Sequence, residues 1–311
     1  MSRTMMFFLV SIAPYFFSQG KDELFYYTNN DSLLGVKDSN GHIIIPAQFR
    51  DAQMGRIENG TLIEEPLIFF FSHHKESCPE PHAVGFMYDR KGNFLFHPFW
   101  FDNGTDDFSE GLMRFVKNGK IGFADKRGTI VIPAQYDFAD SFRYGYTEVC
   151  QDCYWHKTDD EHSIVTGGQW WVIDKKGQTV KPSDKKSHES DIEINGKFYP
   201  NPFIYNQNEE EILDFFRRQE KELSALYYGQ FSNQKKNNYR KLYFEIVDKV
   251  EGQQGFYEIY TYDDEYYRIN DFTFLVDNQG KLIYHVDFYG KKTKFSHWKK
   301  FEAQIINQKI N

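Results

Sequence analysis

Cysteine is scarce in this chain. Cys78, Cys150 and Cys153 are the only three in 311 residues. So few, and an odd number, exclude a disulfide scaffold. In an oxidising compartment they predict one bridge, with one thiol left free or paired between chains. Basic charge is also in deficit: 37 Lys and Arg stand against 45 Asp and Glu, for a formal net charge of -8. With its basic residues dispersed, such a chain is a poor nucleic-acid binder. After the first twenty residues, no apolar run reaches the roughly 20 residues that a membrane span takes. Catalytic signatures are missing too: there is no G-x-S-x-G elbow, H-E-x-x-H helix, P-loop or dinucleotide fingerprint. Nothing in the sequence calls for a cofactor.

Aromatics, by contrast, are abundant. The chain has 31 Phe and 21 Tyr, with 22 Gly, which favours strands and turns over helical bundles. At 40% hydrophobic and 26% charged, the composition is globular, and the length predicts about two domains. Residues 1–20 read as a signal peptide. Arg3 supplies the charge, Met5 to Phe17 the apolar stretch, and Ser18-Gln19-Gly20 the small residues before a cut at Lys21. An uncleaved anchor or a buried strand fits the short stretch and Pro14 less well. The expectation is an exported chain, periplasmic or extracellular, without a membrane span after cleavage.

The chain repeats itself. The unit is D-x-x-G, an apolar run, Pro and an aromatic. Asp38-Ser-Asn-Gly41 leads to Ile43-Ile44-Ile45-Pro46-Ala47-Gln48-Phe49, and Asp125-Lys-Arg-Gly128 to Ile130-Val131-Ile132-Pro133-Ala134-Gln135-Tyr136. Looser copies start at Asp89 and Asp174. A second landmark follows each first Gly: Ile57-Glu-Asn-Gly60, Phe108-Ser-Glu-Gly111 and Phe142-Arg-Tyr-Gly145, with alternating strands after them. Asp opens a tight turn by bonding the backbone ahead, and Gly closes it at positive φ. Pro, lacking an N–H, is expected to end the second strand of a hairpin. One hairpin cannot bury its own apolar face, so the units must stack.

Residues 33–182 resemble the bacterial WG-repeat (KWG) proteins. Phe108-Ser-Glu-Gly111-Leu112 and Lys120-Ile121-Gly122-Phe123-Ala124-Asp125-Lys126-Arg127-Gly128 carry the likeness best. The Trp of the name dipeptide is replaced in Leu34-Gly35, Val84-Gly85 and Ile121-Gly122, while Trp170-Trp171 keeps Trp and loses Gly. The resemblance implies a stacked all-β array and no catalytic residues.

The organisation expected is therefore mainly β: stacked β-hairpin repeats over 21–182, a polar linker over 183–206, and a small α+β domain over 207–311. That last domain reads as one helix ending near Gly229, with Asn208 and Glu211 as a capping box, and a four-stranded antiparallel meander. Its order is analogous to cystatin-like or NTF2-like units.

Two insertions interrupt the array. Residues 64–82 hold Phe69-Phe70-Phe71, His73, His74, Cys78 and His82; residues 150–168 hold Cys150, Cys153, Trp155, His156 and His162, and Trp170 follows. Insertions on a repeat array project from one face and carry binding. Phe70, His73, His74, Trp155, His156 and Trp170 are the binding candidates. Cys150, Cys153 and His156 have the residue types of a metal site, but a lone C-x-x-C lacks the second pair usual for structural zinc. A disulfide among Cys78, Cys150 and Cys153 is the plainer reading. The leading function is a secreted, non-enzymatic repeat protein binding a protein or an envelope or glycan polymer. The rival is an exported hydrolase or metal-dependent enzyme with its site at the Cys/His insertions or between the domains. A third reading puts a small ligand in the cavity of the C-terminal sheet.

Overall fold

A computed structural model describes residues 23–52, 57–72, 78–101, 104–159, 162–229, 239–249, 255–287 and 290–310. The signal-peptide expectation, His73 and His74 lie outside them. The chain is mainly β. Its first unit is β1 (Leu24–Thr28), β2 (Leu34–Asp38) and β3 (Ile43–Phe49), with β4 (Leu62–Ile63) added beside β1. The second is β5 (Leu67–Phe71), β6 (Gly85–Asp89) and β7 (Phe94–Pro98), followed by a short ribbon of β8 (Trp100–Phe101) and β9 (Gly104–Thr105). The third is β10 (Leu112–Lys117), β11 (Lys120–Asp125) and β12 (Ile130–Tyr136). After β13 (Phe138–Ala139) comes the fourth, β14 (Tyr146–Lys157), β15 (Ser163–Asp174) and β16 (Thr179–Val180).

Each unit is thus a three-stranded antiparallel meander, one strand more than the hairpin read from the sequence. The added strand is the alternating stretch after the second landmark, which pairs with the strand carrying the X-Gly dipeptide. Units two and three join into one six-stranded sheet where β7 pairs with β10 through Phe115↔Pro98 and Val116↔His97.

The turns form as their chemistry dictates. Asp125 Oδ1 accepts the N–H groups of Arg127 and Thr129 at 2.9 and 2.8 Å, and Gly128 N bonds to Asp125 O at 2.9 Å. Asp38, Asp89 and Asp174 repeat the pattern. Proline behaves differently from expectation. β3 continues past Pro46 to Phe49, and β12 past Pro133 to Tyr136. Both strands are sheet edges, where a missing donor leaves no ladder bond unmade. The register slips beside the proline: Phe123 pairs with Ile132, yet Ile121 pairs with Tyr136. The surplus residues arch over the glycine opposite. A Cβ on Gly122 would lie 2.6 Å from both Ile132 O and Ala134 N; on Gly35 it would lie 2.5 Å from Ile45 O and 2.7 Å from Ala47 N. In units one and three the glycine of the X-Gly dipeptide is therefore required by the proline arch of its own unit, whereas Gly85 of unit two is closed in by Phe70 O and the Phe69 ring.

The units interlock through these turns. Gly92 seats on Ile44, Gly128 on Leu95, and Gly177 on Ile132, each one unit back. Between units three and four, Arg114 is 1% exposed. It is forked onto Asp106 at 2.9 and 2.6 Å, donates to Ala139 O at 3.0 Å, and lies 4.6 Å over the Phe99 ring.

Residues 183–206 contain a small hairpin, β17 (Ile192–Ile194) with β18 (Lys197–Tyr199), whose Tyr199 packs on Tyr146 and Val172. Helix α1 (Gln207–Gly229) follows. Its capping box sits two residues upstream of the expected one. Asn206 Oδ1 accepts Glu209 N at 3.0 Å, and Glu209 Oε2 accepts Asn206 N at 2.9 Å. Asn208 instead donates to Asn278 O. The sheet then runs β19 (Tyr243–Lys249), β20 (Phe256–Tyr262), β21 (Arg268–Asp277), β22 (Ile283–Val286) and β23 (Lys292–Lys294), in that order. The fifth strand and a second helix, α2 (Phe295–Ile310), exceed the four strands and one helix expected. Phe216 of α1, Phe274 of β21 and Trp298 of α2 meet in one core. Among the described residues no helix is long and apolar enough to cross a membrane.

Candidate functional site: an aromatic corner on the fourth repeat

The second insertion is not a loop. It is the outward continuation of β14 and β15, which stay paired from Tyr146↔Asp174 out to Lys157↔Ser163. β13 covers β14 only at Val149 and Cys150, and β16 covers β15 only at Val172 and Ile173. The outer part is therefore a two-stranded ribbon. A kink marks its root: Asp152 takes φ 59°, and the pairing steps from Gln151↔Gln169 to Cys153↔Gly167. Cys150 and Cys153 form a disulfide across this kink. Asp152 N donates to Asp137 Oδ2 at 2.7 Å, and Lys120 Nζ donates to Asp137 Oδ1 at 2.5 Å. Burial works against ionisation of Asp137, but the bonds from Lys120 and Asp152 outweigh it and hold the carboxyl below its ordinary value.

Strand alternation then sorts the ribbon's side chains. Trp155 and its partner Val165 share one face, whereas Tyr154, His156 and Ile164 share the other. Trp155 stacks on His82 at 5.2 Å and meets the edge of Phe138 at 5.5 Å and 87°. Trp170 also packs on Phe138, at 6.1 Å and 59°, its Nε1 donating to Gly167 O. Trp155 and Trp170 remain 39% and 40% exposed. Four rings from β13, β14, β15 and the first insertion thus form an open apolar corner. Tyr154, 61% exposed, stands on the opposite face of the same ribbon.

The sequence candidates separate accordingly. Trp155 and Trp170 are brought together, and His156 is exposed beside Ile164. Phe70 is a core residue rather than a contact. It is fully buried, stacked on Phe49 at 4.2 Å and edge-on to Tyr26, because β5 is covered on both faces. Cys78 is a free, buried thiol 3.6 Å from His97 Nδ1, and burial pushes its pKa up. With both sulfurs in the disulfide, Cys150 and Cys153 offer no thiolates to a metal. Among the described residues no three His, Cys, Asp or Glu side chains gather as a metal site. Sequence reading placed His82 in the first insertion but not among the binding candidates, and passed over Phe138. His82 directly precedes the Ala83 to Gly85 strand entry, and Phe138 stands four residues before the Phe142 turn.

Residues 121–155 match the family model described as WG containing repeat. No curated protein and no solved structure matches the chain. The matched stretch covers β11, β12 and β13, then runs up β14 to end at Trp155. The chain therefore carries a WG-type repeat, and one indole of the corner belongs to it.

Proposed function

We propose that this chain is a non-enzymatic, exported binding protein that docks a protein partner on the Trp155–Trp170 corner. The exposure of the two indoles, Trp155 on the projecting ribbon and Trp170 at its root, carries this reading. Half-exposed Trp and Tyr are the side chains that dominate protein interfaces, since each removes a large apolar area from water at little entropic cost. The ring angles favour a protein over a glycan. A sugar face stacks on flat or coplanar rings, whereas rings at 87° and 59° enclose a notch suited to one protruding apolar side chain. The disulfide at the ribbon root and the signal-like leader support export.

The test is a crosslinking capture from envelope extract of the host, with the chain as bait. Wild type and an Ile43→Ser control, altered on the distant first unit, are expected to hold the same partner. Trp155→Ser with Trp170→Ser is expected to lose it. Equal capture by all three baits contradicts the assignment, as does a soluble glycan that displaces the partner.

A further inference from the structure

A second feature lies where the turns of units three and four meet the C-terminal sheet. The turns at Glu110–Gly111 and Tyr144–Gly145 press on the outer face of the C-terminal sheet. Tyr144 enters a cluster with Val247, Tyr260 and Tyr262, and Lys126 pairs with Glu258 at 2.6 Å. Beside this contact a cleft of about 980 Å³ stays open. One wall is tyrosine: the rings of Tyr144 and Tyr262 are 5.3 Å apart, those of Tyr262 and Tyr266 6.1 Å. Eight carboxyl groups line the cleft against four cationic side chains, and one of the four, Arg114, is already neutralised by Asp106.

Two polar groups at its floor lack partners. Tyr262 is 1% exposed, and its hydroxyl meets no hydrogen-bond partner among the described residues. Glu245 accepts from the Tyr205 hydroxyl through Oε2, and its other oxygen has no partner among the described residues. Both line the cleft, where a ligand or water can reach them. The surrounding surface already holds cations. Arg268 lies 3.5 Å over the Tyr260 ring, and Arg143 4.9 Å over Tyr144 and 5.5 Å over Tyr267. Lys175 Nζ sits 2.5 Å from both Glu110 O and Val247 O.

We infer that this cleft binds a small aliphatic polyamine. One ammonium bonds to the free Glu245 oxygen and the Tyr262 hydroxyl, the methylenes run along the tyrosine wall, and further ammoniums meet the remaining carboxylates. Ammonium over tyrosine faces is favoured electrostatically, and desolvation strengthens it. An anionic ligand would have to displace this excess of carboxylates to reach Arg143 and Arg268. The protonation of Glu245 fits the same picture. Burial raises its pKa to about 7, with Glu110 from the repeat turn and Glu210 of α1 adding to the rise. The Tyr205 hydroxyl and Arg217 of α1 oppose it. A bound ammonium favours the carboxylate, so amine binding strengthens as pH rises through that value.

Calorimetric titration of the full chain with spermidine tests this. Affinity is expected to rise about tenfold between pH about 6 and about 8, as the ionised fraction of a group titrating near 7 grows by that factor. Glu245→Gln is expected to weaken binding at least tenfold at the higher pH and to abolish the pH dependence. Tyr262→Phe is expected to weaken it a few-fold and to keep the pH dependence, which preserves the test if the first variant melts early. No spermidine binding at the higher pH, unchanged affinity in both variants, or binding of citrate in place of spermidine would each overturn the proposal.

Discussion

The repeat array and the C-terminal unit bury their apolar surface by different means. In the array no unit has a core of its own. Ile68 and Phe70 of the second unit complete the first unit's cluster with Ile45 and Phe49, and Val149 and Ile173 of the fourth complete the third's with Ile121 and Phe123. In the C-terminal unit α1 and α2 close on the inner face of one sheet, and a single cluster from Ile212 to Trp298 results. Stability in the array is therefore shared between neighbours, whereas the inner core of the C-terminal unit is local, with only its outer face shared through Tyr144.

The largest expected effects break this contrast most sharply. Arg114→Ala leaves Asp106 buried without its counter-charge and is expected to cost about 3–5 kcal/mol. Phe216→Ala opens a cavity in the C-terminal core and is expected to cost about 3–5 kcal/mol as well. Denaturant unfolding gives the sizes, and hydrogen exchange separates the two. Loss of protection should spread across units two to four in the first variant and stay within residues 207–310 in the second. Protection lost evenly across the chain in both would mean one cooperative unit.

A smaller test concerns the proline arch. Gly122→Ala drives a Cβ into the backbone of Ile132 and Ala134, with an expected cost of about 3 kcal/mol. Gly196→Ala meets open space and suffers only its φ of +72°, for about 1 kcal/mol. Equal losses in thermal melts would show that the arch does not require glycine. Smaller again, Asn206→Ala should cost about 1 kcal/mol by freeing the α1 cap, with an unchanged array.

The smallest effect is one of pH. His285 stacks on Trp298 at 4.4 Å and bonds to Asp271 O. Burial lowers its pKa, outweighing the bond to Asp271 and the nearby charges of Asp287 and Asp271. The folded site keeps the imidazole neutral while the unfolded chain takes up a proton at the ordinary value. The stability it contributes is therefore full above about pH 6.5 and is lost as pH falls through the lowered folded value. Melting of the C-terminal unit should decline on acidification in wild type and less so in His285→Gln. An equal decline in both would place the pH sensitivity elsewhere.

What was legible in the sequence follows the same divide. The array announces itself because its constraints are covalent and local: Asp38, Gly128 and Pro133 act on the residues beside them. Side-chain burial was less legible. Phe70 lies in a run of three Phe on a strand covered on both faces, where alternation says nothing. The corner was half visible, through Trp155 and Trp170, because His82 and Phe138 join it from other strands. Helix α2 was missed although Phe295, Trp298 and Phe301 stand at helical spacing; the stripe is short, and Phe301 is 60% exposed. The α1 cap lay two residues early because Asn206 and Asn208 each have a Glu three residues on, and only packing selects between them.

The most direct test of the binding assignment is a site-specific photocrosslinker placed at Val165, which shares the Trp155 face of the ribbon, and, separately, at the exposed Leu62 on the first unit. One partner band from position 165, absent from 62 and lost with Trp155→Ser and Trp170→Ser, is the expected result. Equal bands from both positions, or none from 165, would contradict it.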